Sequence, residues 1–359
     1  MFSFFEVIFL INFVRGDVFR CHFPDKVLGA LQGPDYARID GQSALAVCLT
    51  DSNFKGVPNG QTLVVPIVEQ LPSHLQSSIK PVVVPLNKNE LPFLSHDSYA
   101  LTHMPIACNK QWIGPQKVGH INFSSSSMQR IDFGLLLSTG TYDRVRESIY
   151  DAVIQHMLSN SSLNTDPSYQ LMISEAQAAA NQIAAAKQPV SAGRSNAYNF
   201  RRGDVFVCHF PVHDSTGLPG HDYSLHGTHL GICLTDAKDP RIPKEQVLIV
   251  PISSSVSAIG RKSLKPTHIP IFKSDHPFLN HDSFALTFQT KPYNRHWLSR
   301  SVGHINTQTM DFISYGLFLS TGTEHRVHEI IMKSAMEALI QRTMKTPTLQ
   351  QLRDFELGR

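Results

Sequence analysis

The stretch that decides the fold is Gly203-Asp-Val-Phe-Val-Cys-His-Phe-Pro211. Nearly the same stretch occurs earlier in the chain as Gly16-Asp-Val-Phe-Arg-Cys-His-Phe-Pro24. Five further segments return in the same order: 47–51 as 232–236, 65–67 as 250–252, 92–102 as 277–287, 118–122 as 302–306, and 134–141 as 316–323. Self-similarity in an unchanged order is the mark of repeated structural units. The sequence therefore predicts two copies of one domain.

Each copy is predicted to be mainly β, in an α+β arrangement. Within residues 205–210, Phe206, Cys208 and Phe210 alternate with two valines and His209. This period of two places the phenylalanines and the cysteine on one face, the expected core, and His209 on the other. Short β-branched and aromatic runs bounded by Gly, Pro, Asn and Asp favour a small barrel. A helix is expected to close each copy, from apolar spacing at Val145, Ile149, Val153 and Met157 and at Val327, Ile331, Ala335 and Leu339.

The segment between the copies has a different composition. Asp166 can cap a helix with Pro167 at its first position, and residues 168–187 are rich in Ala and Gln. A helix of about 20 residues spans roughly 30 Å, enough to let the copies meet. We predict a first copy at 14–158, a linker with a helix at 159–200, a second copy at 201–346 and a C-terminal tail at 347–359.

Composition restricts the function classes. The chain has 359 residues, 42% of them hydrophobic, which is too apolar for a disordered protein. The formal charge of +3 permits an anionic partner without requiring one. Five cysteines form no CxxC pair and predict buried thiols in a reducing cytoplasm. Residues 1–13 are apolar but too short to span a bilayer, so we expect either an extra packing segment or a start placed upstream of the true one.

The second copy resembles the PemK/MazF family of bacterial toxin domains. The resemblance rests on the Gly-Asp-hydrophobic opening at 203–211, a Gly-rich loop at 212–227, and a strand at 227–236 where the family reads Gly-x-Arg-Pro. It also rests on Leu248-Ile-Val-Pro-Ile-Ser-Ser254, where the family carries Val-Pro-Ile-Thr-Ser. It covers about residues 202–340 and, more weakly, 15–158.

The resemblance implies two SH3-like barrels and the activity of a metal-independent endoribonuclease. Family members activate the ribose 2′-hydroxyl against the adjacent phosphate and leave a cyclic phosphate. The expected partners are single-stranded RNA and an antitoxin protein, with no cofactor, no metal and no membrane. The expected location is the cytoplasm. The barrels would pair within the chain, as an intramolecular pseudo-dimer, or between chains, as a homodimer.

The family's working pair maps onto His229 and Ser253, our predicted catalytic residues. Ser253 occupies the Ser/Thr position, while His229 stands where the family has arginine and Leu230 where it has proline. Histidine can transfer a proton, but it lacks the permanent charge and planar fork of arginine. The first copy has Ala44 and Val68 at these positions, and neither can move a proton. The alternative is therefore an inactive barrel that binds nucleic acid or a protein.

Further candidates lie in two loops of the second copy. His221 and His226 could gather near the catalytic pair, although loop histidines often only face water. Lys291, Tyr293 and Arg295 match the family's basic stretch and predict a base-stacking and phosphate surface, with a solvated loop as the alternative. The pairs His96-Asp97 and His281-Asp282 precede strand-like runs, so we expect turn roles for them rather than metal binding.

Overall fold

The computed structural model describes residues 12–23, 25–27, 43–58, 60–71, 75, 80–145, 199–210, 212–214, 225–254 and 264–329. The predicted linker helix, most of both predicted closing helices and His221 lie outside these residues. The chain divides into two compact units. One unit comprises Met1–Thr141 with Ala192–Thr323, and the other Tyr142–Ser191 with Glu324–Arg359. The boundaries given above for the copies, linker and tail stay predictions.

The first half of the chain forms a seven-stranded antiparallel sheet. Its strands are β1 (Asp17–His22), β3 (Ser43–Cys48), β4 (Gln61–Val68), β5 (Val83–Leu86), β6 (Ser98–Leu101), β7 (Ile106–Asn109) and β8 (Ile113–His120). The strand order is β5-β6-β4-β3-β1-β8, and β7 also pairs with β4. A short strand, β2 (Asp25–Val27), lies outside this sheet.

The second half repeats this arrangement strand for strand. Its strands are β9 (Asp204–Phe210), β11 (Gly227–Cys233), β12 (Gln246–Ser253), β13 (His268–Ile271), β14 (Ser283–Leu286), β15 (Lys291–Asn294) and β16 (Leu298–His304). The order is β13-β14-β12-β11-β9-β16, with β15 pairing β12. The mainly β prediction is confirmed as two antiparallel sheets of equivalent order. Among the described strands, no pairing joins β5 to β8 or β13 to β16, so the closure of each sheet into a barrel stays a prediction.

The second sheet buries side chains on both of its faces. Phe206, Cys208 and Phe210 share one apolar cluster with Tyr293 and Trp297, as the alternation along β9 predicts. The intervening residues face the other side, where Val205 joins a second cluster. His209, farther along this face, is exposed. The site described below lies at the end of β9 and β11, where burial gives way to solvent.

Two helices that the sequence patterns did not predict pack against the sheets. They are α1 (Ser126–Ser138) and α2 (Thr307–Thr321). The side chain of Ser125 accepts a hydrogen bond from the backbone of Met128, and that of Asn306 accepts one from Thr309, so both helices begin at a side-chain cap. Residues 141–145 and 324–329 are also helical, as expected for the start of the closing helices. Short 3-10 helices in the described part of the chain lie at Lys110–Trp112, Thr287–Gln289 and Arg295–Trp297.

The two sheets meet through reciprocal backbone contacts. Strand β2 pairs antiparallel with β10 (Val212–Asp214), joining Val27 to Val212 and Asp25 to Asp214. Positions 25 and 212 are equivalent in the repeat, and so are 27 and 214. Exchanging the halves therefore leaves the pairing unchanged, which is the property of an isologous contact.

A pair of equivalent arginines makes the same kind of contact. Arg15 donates a hydrogen bond to the carbonyl of Thr321 in the second half, and Arg202 donates one to the carbonyl of Thr139 in the first. Gly140 directly follows Thr139, and Gly322 directly follows Thr321. Both glycines adopt left-handed conformations, with φ of +63° and +62° respectively. A Cβ at either glycine would overlap a backbone carbonyl of the opposite half, so glycine is required for the close approach.

All five cysteines are buried thiols, as predicted. Every helix in the described part of the chain is too short or too polar to cross a membrane.

Candidate functional site

Two neighbouring strands of the second sheet carry the predicted catalytic pair. His229 lies on β11 and Ser253 ends β12. Leu230 pairs with Ile252 and Gly231 with Pro251, so His229 and Ser253 each lie one residue beyond the last joined pair. Side chains alternate along a strand, which puts His229 and Ser253 on the same face of the sheet, opposite to Leu230 and Ile252. Ser253 is 4% exposed and His229 is half-buried, so the imidazole is the more accessible group.

The environment of His229 favours its neutral form. Its Nε2 lies 2.9 Å from the carbonyl oxygen of His226, and because a carbonyl only accepts, Nε2 carries the hydrogen. Burial lowers the pKa of His229, and the positive charges of Lys291 and His226 lower it further. The hydrogen bond to the His226 carbonyl opposes this shift. The neutral imidazole therefore keeps its lone pair on Nδ1, which is the atom able to accept a proton.

Lys291 supplies a fixed positive charge beside this imidazole. It begins β15, which pairs with β12, and its Nζ donates a hydrogen bond to the carbonyl of Leu225 at 3.2 Å. The same Nζ lies 4.8 Å from the ring centroid of Phe210, whose centroid is 6.3 Å from that of His229. The predicted substrate residue Lys291 thus belongs to the same cluster as the predicted catalytic histidine.

Tyr293 does not form part of an open stacking surface. Its side chain is 1% exposed and lies within the apolar cluster below β9. Its hydroxyl accepts a hydrogen bond from the backbone of His209 at 2.8 Å and lies within donating distance of the carbonyls of His209 and Trp297. The predicted base-stacking role for Tyr293 is therefore wrong, because no ring face is available and the hydroxyl is used inside the fold.

Arg295 is also structural. It is 8% exposed, its guanidinium donates to the carbonyl of Ala237 at 2.7 Å, and it lies over the ring of Phe200 with 5.3 Å to the centroid. The predicted phosphate contact for Arg295 is wrong, since its charge is enclosed by the loop before β12 and the chain before β9. His226 contributes its backbone carbonyl to the site, whereas His221 lies outside the described residues.

The first half borders this site with apolar side chains. Phe54 and Val57 pack in one cluster with Leu225, Phe284 and Phe288 of the second half. Phe284 is the partner of Ser253 on β14, and the carbonyl of Leu225 holds Lys291. No local pattern in the sequence predicts this contact, because its members are far apart along the chain.

In the two His-Asp pairs weighed above for metal binding, the aspartates accept hydrogen bonds from the backbone. Asp97 accepts a hydrogen bond from the backbone of Lys88 at 2.9 Å, and Asp282 accepts one from Lys273 at 2.8 Å. These equivalent contacts confirm the predicted turn role. Within the described ranges, no group of three or more His, Cys, Asp and Glu side chains is placed to hold a metal ion.

Comparisons with known proteins find similarity only among solved structures. No family model matches the chain, and no curated protein matches it. One similar structure is an endoribonuclease from a mycobacterial species, with 17% identity and a TM-score of 0.25, covering 36% of this chain and 94% of that one. The Mycobacterium tuberculosis toxin MazF-mt6 has 14% identity and a TM-score of 0.23 over 33% and 94%. A mycobacterial endoribonuclease in complex with its cognate antitoxin has 18% identity and a TM-score of 0.25 over 34% and 95%.

Proposed function

We propose that this chain is a toxin-like endoribonuclease that cuts single-stranded RNA, without a metal ion, at one site in its second half. The observation that carries the proposal is the neutral imidazole of His229, with its Nδ1 lone pair unused by the bond to His226 and a lysine charge nearby. A general base must be unprotonated at the working pH and close to the proton that it removes. His229 meets the first condition through burial.

The chemistry follows from the roles of three groups. Nδ1 of His229 takes the proton of the ribose 2′-hydroxyl, whose oxygen attacks the adjacent phosphorus. The bond from phosphorus to the 5′-oxygen breaks, and that oxygen takes a proton from solvent, leaving a cyclic phosphate. Lys291 stabilises the added negative charge on the phosphate, which restores part of what the missing arginine would supply. Ser253 donates a hydrogen bond to a phosphate oxygen.

We also propose that the chain is a tandem duplication whose halves act as an intramolecular pseudo-dimer in the cytoplasm. Equivalent strand orders, the self-symmetric pairing of β2 with β10, and the reciprocal contacts of Arg15 and Arg202 support this arrangement. One site of the pair has lost its polar groups, because Ala44 and Val68 replace His229 and Ser253. An antitoxin protein is the proposed protein partner.

Cleavage of a labelled single-stranded RNA in the presence of EDTA tests the proposal. His229→Ala is expected to lower the rate about 100-fold or more, the usual contribution of a general base. His209→Ala is the matched control, since His209 is an exposed histidine on the neighbouring strand and is expected to leave the rate unchanged. Equal rates for the wild type and His229→Ala would reject the assignment.

A second candidate function is binding without cleavage. It is favoured by the burial of Ser253 and by the absence of arginine at the family position in both halves. In this case the protein binds RNA or a protein tightly, no product appears, and His229→Ala has no effect on affinity. Inducible expression with Ser253 intact or changed to alanine separates the two candidates, because growth arrest that needs the serine supports the enzyme.

A further inference from the structure

The loop between β3 and β4 of the first half reaches the neighbourhood of the candidate site on the second half. Val57 in this loop is 1% exposed and forms a buried cluster with Leu286 and Phe288. The hydroxyl of Thr267 donates a hydrogen bond to the carbonyl of Gly56 at 2.6 Å. The loop is therefore held on the second half by an apolar contact and by a hydrogen bond.

Phe54 and Gly56 shape this loop for the contact. The ring of Phe54 lies so close to Gly56 that a Cβ at position 56 would overlap it. Phe54 is partly buried and packs against the cluster that contains Val57. Because glycine has no side chain, the ring can fold back over the same backbone whose carbonyl binds Thr267. The loop therefore presents an aromatic ring and a carbonyl to the second half.

The equivalent loop of the second half has different residues. It carries Asp239, Arg241 and Ile242 at the positions that phenylalanine, glycine and valine occupy in the first half. Asp239 and Arg241 form an ion pair at 2.7 Å. Val82 of the first half stands at the position of Thr267 and has no hydroxyl to donate. The residues of this contact therefore occur in one direction only, from the first half to the second.

Leu225 links this contact to the candidate site. Its side chain packs against the cluster that contains Val57, and its carbonyl accepts a hydrogen bond from Nζ of Lys291 at 3.2 Å. The next carbonyl along the chain, that of His226, lies 2.9 Å from Nε2 of His229. Two successive carbonyls thus orient the cation and the imidazole. A displacement of the Leu225 side chain would move both of these carbonyls.

We propose that Phe54 and Val57 are positioning residues, through which the first half holds the candidate site of the second half in its working geometry. They fix Leu225, and the carbonyls of residues 225 and 226 then set the places of Lys291 and His229. The first half thus supports the site instead of duplicating it. The effect on catalysis rests on the proposed function, whereas the positioning acts on the imidazole whether or not RNA is cleaved.

Titration of the His229 ring by NMR in the full chain tests this inference without RNA. Phe54→Ala and Val57→Ala should each raise the pKa of His229, because loosened carbonyls let water reach the imidazole and let Lys291 move away. Loss of the hydrogen bond to the His226 carbonyl lowers the same pKa, but burial is the larger cause. The ring signals that disappear in His229→Ala identify the resonance. The midpoint of the titration is therefore expected at higher pH in both variants.

Thr267→Val should move the titration in the same direction, because it removes the hydrogen bond to the loop. Ile242→Ala is the matched control, since Ile242 is 5% exposed and occupies the position of Val57 in the equivalent loop. Its loss should leave the pKa of His229 unchanged. Adding Val57→Ala to Lys291→Gln should raise this pKa less than Val57→Ala does alone, because the lysine charge is already gone. In RNA cleavage, the acid limb of the pH–rate profile should move to higher pH by the same amount.

An unchanged titration of His229 in both Val57→Ala and Thr267→Val would overturn the inference, and so would an equal change in Ile242→Ala. A changed titration in a protein that cleaves no RNA supports the positioning and rejects the proposed cleavage, so the two failures are distinguishable. Thr267→Val keeps the test valid even if Val57→Ala fails to fold, because valine already occupies the equivalent position 82 of the first half.

Discussion

Replacing Arg15 by methionine should destabilise the protein far more than an ordinary surface substitution. The Arg15 guanidinium forms an ion pair with Asp132 on α1 and donates to the carbonyls of Leu49 and, in the other half, Thr321. The Arg15 side chain is 13% exposed and that of Asp132 is 0% exposed. Methionine keeps most of the apolar stem, so the change isolates the charge. Removing one partner of a buried ion pair costs about 3–5 kcal/mol of unfolding free energy.

Arg202 is the matched comparison for Arg15 within the same molecule. It donates to the carbonyls of Leu234 and Thr139, each at 2.5 Å, and to the hydroxyl of Ser314 at 2.9 Å. Ser314 stands where the first half has Asp132, so these three hydrogen bonds of Arg202, which Arg202→Met removes, go to uncharged groups. Such a loss costs about 1–3 kcal/mol. Arg15→Met is therefore expected to cost about 2 kcal/mol more than Arg202→Met.

Urea unfolding of the full chain measures both values by linear extrapolation. Asp132→Asn, added to Arg15→Met, should recover part of the stability because it removes the buried charge, and a double-mutant cycle gives the coupling energy of the pair. Equal losses for the two arginine variants, together with no recovery on adding Asp132→Asn, would refute the reasoning.

Three further predictions concern single residues. The acid limb of the pH–rate profile for RNA cleavage should lie at lower pH than an ordinary histidine would give, because burial lowers the pKa of His229. Lys291→Gln should move this limb to higher pH, because it removes a nearby positive charge that lowers the same pKa. Tyr293→Phe should cost about 1–3 kcal/mol in urea unfolding, since buried backbone groups lose a hydrogen bond, while RNA affinity measured below the unfolding transition stays unchanged. Gly119→Ala should cost about 1–3 kcal/mol in urea unfolding, because the ring of Phe93 would have to move away from the new methyl group.

The mainly β class and two sheets could be predicted from the sequence, because strand alternation is a local signal and the repeated segments keep one order. The alternation in 205–210 correctly separated the two faces of β9, and the placement of His229 and Ser253 on adjoining strands followed from the motif order. The same information failed at Tyr293 and Arg295. A basic and aromatic stretch resembles a binding surface in composition, but here β15 and the following 3-10 helix turn these two side chains into the protein. Only the packing of β15 against β12 decides that direction.

The sequence contains N-cap signals for helices α1 and α2, but a glycine inside each helix weakens the prediction. Ser125 and Asn306 are good N-cap residues, yet each helix contains a glycine, Gly134 or Gly316, which lowers helix propensity. Close contacts explain both glycines, because a Cβ at Gly134 would overlap the side chain of Thr102 and a Cβ at Gly316 would press against that of Thr287. Tertiary packing therefore overrides local propensity at these positions, and a single sequence does not contain that information.

Differences between the halves separate structural residues from functional ones. Residues that both halves retain form contacts that any copy of this sheet needs, as in the contacts of Nδ1 of His120 with Asp17 at 2.8 Å and of Nδ1 of His304 with Asp204 at 2.9 Å. Residues that differ include the proposed catalytic pair, because Ala44 and Val68 stand in the first half where the second has His229 and Ser253. Neither alanine nor valine can move a proton, so the cleavage that we propose can take place only on the second half.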